Sequence, residues 1–496
     1  MVRTLSYHRE GYVFFIQSMG VTIRMKQTPF ALICALLIVS CGSVRVQKNT
    51  LIPPGCVLPE VKEQERSLEL GGGNRLVVHR FANGLEAVLI EMPGSTVSYG
   101  AIAVGVGGRY EPDSHAGISH LLEHLIFKEN EESKPLTAIR STGGSINALT
   151  DMEQTTYYFT VRPEHFPNSM RALSAMVLEP GFTGEDLEKE REVVLEELAM
   201  GKNDPRALAI YSLVKEVFPE SPLTNLVIGT KRSIRRISLE DLREFHRAYY
   251  VPDNMVVVAA GRIDSAEARG VIEELFGQQV RSPVPAVSFS PPEIGLHSVS
   301  KKIPVRQSFF ITALLTPGME SEEYPAMQLL DVLMGSTAGS ILYRRIVIEE
   351  GLTAEFSQFW YPFSDSGVWA LFFSLHPDDM ETVSGIVSEE FDKILRGEFS
   401  REDLLRARRT LLARKSIQLH TPEAIAGFQV ENLRYRGSVE TFEEYTQRIE
   451  RITHEELIDV AARFFSPENR VTVGLSPARG PEKWFLALKF LLTKKL

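Results

Sequence analysis

The sequence predicts an α+β protein made of two homologous domains, each an antiparallel sheet with helices packed on one face. One observation behind this prediction is an internal repeat, because three segments of the first half recur in the second half at nearly one spacing. A second is that strand-like segments, such as residues 85–90 and 368–375, alternate with helical patterns in both halves. The repeated pairs are residues 237–242 with 452–457, residues 249–254 with 464–469, and residues 182–187 with 399–404.

Length and composition exclude several classes of protein. The chain has 496 residues, more than one hydrophobic core ordinarily supports. Hydrophobic residues make up 44% and charged residues 24%, which excludes disordered, collagen-like and coiled-coil proteins. No apolar run reaches the roughly 18 residues of a membrane-spanning helix, so a polytopic membrane protein is excluded. The formal net charge of -10 argues against a nucleic-acid-binding protein.

Residues 1–40 are predicted to be a bacterial secretory signal peptide, with Met25 as an alternative start. A basic start, a short apolar run at residues 30–39 and small residues around Cys41 resemble the signal of a lipoprotein. Cys41 is therefore the predicted lipidation site, and residues 41–73 are the predicted lipid-anchored tether. The alternative is a signal-anchor helix with an incidental cysteine, although the apolar run is too short to span a bilayer by itself.

The rest of the chain divides at a stretch rich in proline and serine, residues 281–295, which predicts a linker. The first homologous domain is placed at residues 74–280 and the second at residues 296–478. Residues 479–496 are apolar and basic, which predicts an amphipathic tail that lies on a membrane or a partner; a frayed terminal helix is the alternative. All three cysteines lie at or before Cys56, so no disulfide framework holds the folded body.

The strongest chemical signal is the pentapeptide from His120 to His124, which begins a predicted helix. Histidines at positions i and i+4 share one helix face, so both imidazoles can reach one metal ion. Glu123 lies on the same turn, close enough to hold a water molecule near that ion. Ser119 or Asp113 could cap the helix. The alternative is an ordinary helix with two surface histidines and a glutamate.

A second signal is the strongly acidic helical segment from Glu190 to Glu197. These two glutamates are two helical turns apart, so their side chains face the same way. A zinc site needs a third protein ligand, and a carboxylate is a usual one. The alternative is a solvated acidic helix face, which the charge pattern alone favours.

Together these segments make the chain resemble the pitrilysin and mitochondrial-processing-peptidase family, the inverzincins. In that family an inverted His-x-x-Glu-His motif is followed some seventy to eighty residues later by Glu-Arg-x-x-Val-x-x-Glu. Here Glu197 follows His124 at a separation within that range, and the second motif matches at all four fixed positions. Residues 143–150, Gly-Gly-Ser-Ile-Asn-Ala-Leu-Thr, resemble the family's substrate-binding edge strand. The similarity covers about residues 75–477.

The resemblance implies a zinc endopeptidase that holds one zinc ion per chain. It also implies the roles of five side chains, three as metal ligands, one as general base and one as a carboxylate that orients the ligands. In that order they are His120, His124 and Glu197, then Glu123, then Glu190.

The resemblance further implies how a peptide is bound. The two domains would form a clam-like substrate chamber, and the peptide would add as a strand along residues 145–151. Asn147 and Ala148 are the candidates for contact with its backbone. Binding of this kind reads little sequence, so unfolded peptides are the expected substrates.

The second domain has lost the metal-binding groups, so one metal site is expected per chain. The chain also departs from the family, because members that act alone carry an arginine and a tyrosine seven residues apart. The corresponding residues here are Val347 and Ala354, whose side chains donate no hydrogen bond. This departure implies the metal-bearing member of a two-chain enzyme. The residues opposite the two histidines and two glutamates are Gln328, Val332, Ala407 and Arg414.

We therefore predict a zinc-dependent endopeptidase on the periplasmic face of the bacterial envelope, lipid-anchored and paired with a homologous subunit that supplies the missing arginine and tyrosine. Gly42 replaces the acidic residue that often retains lipoproteins in the inner membrane, which weakly favours the outer one. A non-catalytic peptide-binding or scaffold subunit is the alternative. The complete ligand set favours the enzyme, whereas Val347 and Ala354 favour the alternative.

Overall fold

The computed structural model describes residues 61–129, 134–201, 205–219, 221–285, 287, 297–303, 308–353 and 355–477, together with the backbone of four short strands between residues 2 and 25. The apolar run of the predicted signal peptide, the predicted lipidation site Cys41, the residue Ala354 and the predicted tail at 479–496 lie outside the described residues. Across the described part of the chain, no helix has both the length and the apolar composition needed to cross a bilayer.

The N-terminal strands form a small antiparallel sheet: β1 (Val2–Arg3), β2 (Tyr7–His8), β3 (Gly11–Ile16) and β4 (Val21–Met25). Strand β3 pairs with each of the other three. These strands lie within residues 1–40, where the signal peptide remains a prediction.

The first main sheet contains β5 (Gln64–Gly71), β6 (Asn74–Arg80), β7 (Glu86–Glu91), β8 (Ser98–Val104), β9 (Ser145–Thr150), β10 (Thr155–Val161) and β11 (Met255–Gly261). The strand order is β5-β6-β7-β11-β8-β10-β9, which leaves β9 at an edge. Neighbouring strands run antiparallel, except that β7 and β11 are parallel. Every residue of β8 and β11 is buried, as expected for largely apolar strands that are covered on both faces.

The helices of the first half are α1 (Ile118–Ile126), α2 (Pro135–Ser141), α3 (Phe166–Leu178), α4 (Gly184–Gly201), α5 (Pro205–Val217), α6 (Lys231–Arg236), α7 (Leu239–Tyr249) and α8 (Ser265–Phe276). Helix α3 packs on β8 and β10, and α8 packs on β7. Gly100 of β8 permits the close packing of α3, because a methyl group there would lie 2.3 Å from the ring of Phe159 and 3.0 Å from Met170.

The second half repeats this arrangement. Its strands are β12 (His297–Ile303), β13 (Ser308–Pro317), β14 (Glu355–Pro362), β15 (Ser366–Leu375) and β16 (Arg470–Pro477). Its helices are α9 (Tyr324–Met334), α10 (Ile341–Tyr343, continued by a π-helix at Arg344–Glu349), α11 (Met380–Leu395), α12 (Arg401–Gln418), α13 (Pro422–Arg436), α14 (Phe442–Arg451) and α15 (His454–Phe464).

The second sheet has the order β12-β16-β13-β15-β14, which matches β7-β11-β8-β10-β9 strand for strand. Even the parallel pair recurs, because β12 and β16 are parallel while the other neighbours are antiparallel. Helix α4 begins at Gly184 and its counterpart α12 at Arg401, a separation that equals the offset between the repeated sequence segments in which they lie. The prediction of two homologous α+β domains is confirmed.

The compact units exchange one helix each. One unit comprises residues 1–203, 220–289 and 418–442, and the other comprises residues 204–219, 290–417 and 443–496. Helix α5 therefore packs on β13 and β16 of the second sheet, whereas α13 packs on β7, β8 and β11 of the first. Ile425, Ala426 and Val430 of α13 join one core with alternate residues of those strands. In addition to the predicted helix layer, α13 thus covers the second face of the first sheet.

Candidate metal centre

Helix α1, which carries the inverted motif, is held at its start by a buried carboxylate. Glu111 accepts hydrogen bonds from the backbone N–H groups of Gly117, at 2.5 Å, and Ser119, at 2.8 Å. The expectation that Ser119 or Asp113 caps this helix is wrong, because the free N–H groups and the positive end of the helix dipole are met by Glu111. Burial raises the pKa of Glu111 to about 7.

Gly117, at the start of α1, has a φ of 95°, which residues other than glycine rarely adopt. A methyl group there would lie 2.6 Å from Cδ1 of Ile234 and 2.7 Å from the carbonyl oxygen of Ile228. The backbone thus turns sharply at Gly117, and the start of α1 packs closely against Ile228 and against Ile234 of α6.

The two histidines of α1 lie side by side. Leu121, Leu122 and Leu125 are fully buried and fix the helix on the protein core, which leaves one face for the rings. The ring centroids of His120 and His124 are 4.7 Å apart. Burial, together with the neighbouring His124, lowers the pKa of His120 to about 3, so His120 is neutral at physiological pH, as a metal ligand must be.

Helix α4 supplies the carboxylates, and its arginine fixes it in place. Arg191 donates hydrogen bonds to the carbonyl oxygens of Ile234 and of Ile237, the latter at 2.9 Å. Val194, one turn further on, is fully buried. These contacts turn the face that carries Glu190 and Glu197 toward α1, which α4 contacts.

Glu190 contacts His124 on the Nδ1 side of its ring. Its Oε2 lies 2.9 Å from Nδ1 of His124, and its Oε1 pairs with the ammonium group of Lys128. A proton on Nδ1 satisfies this contact and leaves the Nε2 lone pair free. Burial raises the pKa of Glu190, but the hydrogen bonds from Lys128 and His124 outweigh it, so the net pKa lies below the ordinary value.

The three predicted ligands are brought together. His120, His124 and Glu197 offer ligand atoms that all lie within 4.8 Å of one another, and Nε2 of His124 is 3.9 Å from Oε2 of Glu197. Two imidazoles and a carboxylate are a donor set of catalytic zinc sites. Nδ1 of His120 is buried, and no described residue bonds to it, an arrangement that is costly unless the ring finds a ligand. The residues present therefore fit a zinc ion.

Glu123 lies near the three predicted ligands and is hydrogen-bonded by a residue of the first main sheet. The hydroxyl of Thr150 donates a hydrogen bond to Oε2 of Glu123 at 2.5 Å. Burial raises the pKa of Glu123, with the charge of Glu197 adding to the rise, while the Thr150 hydrogen bond and His124 oppose it. Burial also raises the pKa of Glu197. Each shift reflects mainly the cost of carrying a negative charge away from water.

The predicted peptide-binding residues lie on the edge strand β9. Asn147 is exposed and pairs in register with Tyr158 of β10, and Ala148 is buried. Ala148 and Thr150 point to the same face of the sheet because side chains alternate along a strand. Since Thr150 contacts Glu123, the last residue of β9 lies next to the carboxyl group of Glu123 on α1.

The second half has different side chains at the corresponding positions. Helix α9 carries Gln328 and Val332 in place of the histidines. Asp331, opposite Glu123, accepts a hydrogen bond from the indole N–H of Trp369 at 2.8 Å, and Arg414 stands opposite Glu197. Within the described ranges, the trio in the first half is the one group of three metal-binding side chains found so close together. Val347 lies half-buried in the π-helix.

Sequence analysis missed three residues of the site. Glu111 is the last residue of the stretch 107–111, and Thr150 is the last residue of the stretch 143–150. Neither stretch reveals in the sequence that its last residue contacts helix α1. Lys128 lies four residues after His124, a spacing that would share a helix face if the helix continued, but α1 ends at Ile126.

Comparisons with known proteins find relatives for most of the chain. Residues 86–231 match the family described as Insulinase (Peptidase family M16), and residues 236–411 match the Peptidase M16 inactive domain. An uncharacterized zinc protease of Mycobacterium leprae is 30% identical over 313 residues, which cover 62% of this chain and 70% of that protein.

Solved structures share the fold. A protease from Helicobacter pylori superposes with a TM-score of 0.74 at 21% identity, over 84% of this chain and all of that one. A protein from Pseudomonas fluorescens, described as a peptidase M16 inactive domain, gives a TM-score of 0.75 at 17% identity, over 82% of this chain and 98% of that one.

Proposed function

Because the chain belongs to peptidase family M16, we propose that it is a zinc-dependent endopeptidase that cleaves unfolded peptides. The observation that carries this proposal is the convergence of His120, His124 and Glu197 within 4.8 Å, with the half-buried Glu123 on the helix that carries both histidines. Proteins that keep only the fold have no need of this convergence.

His120, His124 and Glu197 would hold one zinc ion per chain. When bound, zinc supplies a Lewis acid that lowers the pKa of water toward about 7 and polarises a carbonyl group. Glu190 and Lys128 orient His124 and set its tautomer. The ion would also offset the cost of burying negative charge at Glu197 and Glu123.

Glu123 would act as general base. Its carboxyl group takes the proton of the attacking water and passes it to the leaving amine of the peptide. Burial already raises its pKa, which suits a group that must hold the proton briefly between the two steps. A buried ion pair holds the loop that follows β9, because a guanidinium nitrogen of Arg109 lies 2.5 Å from a carboxylate oxygen of Glu153 in that loop.

The peptide would bind along β9. An edge strand presents unpaired backbone groups, so a peptide can add to it as a further strand. Asn147 is exposed on that strand and Ala148 offers its backbone, which makes them the contact residues we propose. Backbone pairing reads little sequence, so extended, unfolded chains are the proposed substrates.

We also propose the cellular setting. The signal pattern and Cys41 support a lipid-anchored protein on the periplasmic face of the bacterial envelope, with Gly42 weakly favouring the outer membrane. Val347 and Ala354 lack side-chain donors, which supports a homologous partner that supplies an arginine and a tyrosine. Isolation of the protein from its native membrane, followed by sequencing of any bound chain, tests both points.

A non-catalytic peptide-binding or scaffold subunit is the second candidate. The loss of side-chain donors at Val347 and Ala354 favours it, since losing an oxyanion donor costs on the order of 100- to 1000-fold in rate. A purified chain that binds zinc but cleaves no peptide, alone or with its partner, would support this candidate.

The direct test measures zinc content and peptide cleavage together. The parent chain should contain about one zinc ion and, together with its partner, cleave an unfolded peptide, whereas Glu123→Gln should keep the zinc and lose cleavage. Glu196→Gln, an exposed glutamate of the same acidic segment, is the matched control. Undiminished cleavage by Glu123→Gln would remove the general-base role.

A further inference from the structure

We propose that Thr150 is a positioning residue for Glu123, which holds the carboxyl group of the base against the edge strand β9. The inference rests on the proposed function, since it assigns a role within that reaction. It concerns a contact between the sheet and helix α1 that neither motif contains.

The contact joins two elements that the chain brings together from a distance. Oγ1 of Thr150 donates to Oε2 of Glu123 at 2.5 Å, across 27 residues of sequence. A hydroxyl that donates to an ionised carboxylate makes a short, strong hydrogen bond. This bond engages Oε2, and the backbone of Thr150 adds a second contact, so the rotation of the carboxyl group is restricted.

Thr150 is itself held rigidly. Only 8% of its surface is exposed, and its backbone pairs with Thr155 of β10. Threonine is branched at Cβ, which restricts its side-chain rotation. The position of the Thr150 hydroxyl is therefore set by strand β9, and the carboxyl group of Glu123 adjusts to it.

Strand β9 is the element on which a peptide would add. Its inner edge pairs with β10, and its outer edge pairs with no described strand. A peptide added on that edge would lie beside the strand that ends at Thr150. The same strand would therefore carry the substrate and hold the carboxyl group of Glu123.

The size of the effect follows from the geometry of proton transfer. General base catalysis contributes about 100- to 10,000-fold, and a displacement of about 1 Å can cost about 100-fold. A carboxylate that loses one of its holding contacts keeps its chemistry but spends less time in the productive orientation. Thr150→Val should therefore lower kcat about 10- to 100-fold with little change in KM.

The experiment compares three variants on one unfolded peptide. Thr150→Val removes the hydroxyl at constant shape, Thr150→Ser restores it, and Thr160→Val makes the same change on β10, next to Ser145 and far from Glu123. Zinc content and melting temperature are measured for each. We expect loss of kcat in Thr150→Val, recovery in Thr150→Ser, no change in Thr160→Val and about one zinc ion throughout.

A stability cycle gives a readout that does not depend on cleavage. Thr150→Val and Glu123→Ala are combined in the metal-free chain, and the shifts of melting temperature are compared. If the hydrogen bond couples the two side chains, the double variant loses less than the sum of the single variants.

The outcomes separate this inference from the proposed function. An active parent chain whose kcat survives Thr150→Val, or whose KM rises at constant kcat, overturns the positioning role alone. Additive stability shifts overturn it as well. A zinc-loaded parent chain that cleaves nothing, alone or with its partner, overturns the proposed function and the positioning role together.

Discussion

Nε2 of His124 lies 3.9 Å from Oε2 of Glu197, while Nδ1 of the same ring lies 2.9 Å from Oε2 of Glu190. One imidazole therefore faces two carboxylates that lie two turns apart on α4. The contact to Glu190 is a hydrogen bond, but the separation from Glu197 is too long for one. The two sides of the ring thus have different roles, one structural and the other open to a metal ion.

Glu190 should govern metal affinity without being a ligand. Replacing it by glutamine removes the charged acceptor behind His124 and the partner of Lys128, so we expect zinc to bind about 10- to 100-fold more weakly. Competition with a chromophoric chelator measures this directly. Glu192→Gln, an exposed carboxylate on the same helix, should leave the affinity unchanged. Equal affinities for parent and Glu190→Gln would contradict the orienting role.

Arg191 should stabilise the first unit rather than take part in chemistry. Its guanidinium group satisfies the carbonyl oxygens of Ile234 and Ile237, so Arg191→Met leaves two buried acceptors unpaired. We expect a loss of about 2–4 kcal/mol in the free energy of unfolding, measured with urea. Arg235→Met, an exposed arginine on α6, should change it by less than about 0.5 kcal/mol. A loss as small in Arg191→Met would refute the anchoring role.

Gly117 should tolerate no side chain. Gly117→Ala places a methyl group 2.7 Å from a backbone oxygen at a φ of 95°, so helix α1 must shift and the chain should lose zinc binding. Gly270→Ala is the matched change in α8, where no atom lies within 4 Å. This variant should gain about 0.5–1 kcal/mol of stability. Normal zinc content in Gly117→Ala would show that the start of α1 is not sterically fixed.

Glu111 should give the metal-free chain a characteristic dependence on pH. Its pKa is about 7 in the folded chain against an ordinary value of 4.5, so between these values the unfolded chain binds fewer protons. The contribution of Glu111 to stability should therefore fall as pH rises from about 4.5 to about 7, by at most about 3 kcal/mol.

Glu111→Gln should remove the share of Glu111 in this slope, because an amide does not titrate. The buried carboxyl groups of Asp151 and Asp331, whose pKa values burial raises to about 6, keep their own shares. It should also lower stability at pH 5, since the amide NH2 group cannot accept a hydrogen bond and would face the backbone N–H of Gly117 or Ser119, where even the protonated carboxyl group has an oxygen atom. Urea unfolding at pH 5, 6 and 7 measures the difference between parent and variant. A difference that does not vary with pH would contradict the assignment.

Local patterns account for what could be predicted from the sequence. The i, i+4 spacing of His120 and His124 and the i, i+7 spacing of Glu190 and Glu197 depend only on helix geometry. The nearly constant offset between the repeated segments revealed two equivalent α+β domains, because insertions between equivalent elements are few.

Other features depend on packing between distant segments. The exchange of α5 and α13 between the two units leaves no local trace, since each helix looks the same whichever sheet it covers. The capping of α1 by Glu111 and the contact of Thr150 with Glu123 likewise arise only when strand and helix are placed side by side. Propensity cannot distinguish these partners from neighbouring polar residues such as Ser119 and Asp113.

The central claim is that two imidazoles and one distant carboxylate bind a single zinc ion. Crystals of the zinc-loaded chain, measured on both sides of the zinc absorption edge, test it most directly. The account predicts one anomalous peak per chain, within about 2.3 Å of ligand atoms of His120, His124 and Glu197. A peak elsewhere, or no peak in a chain loaded with excess zinc, would contradict it.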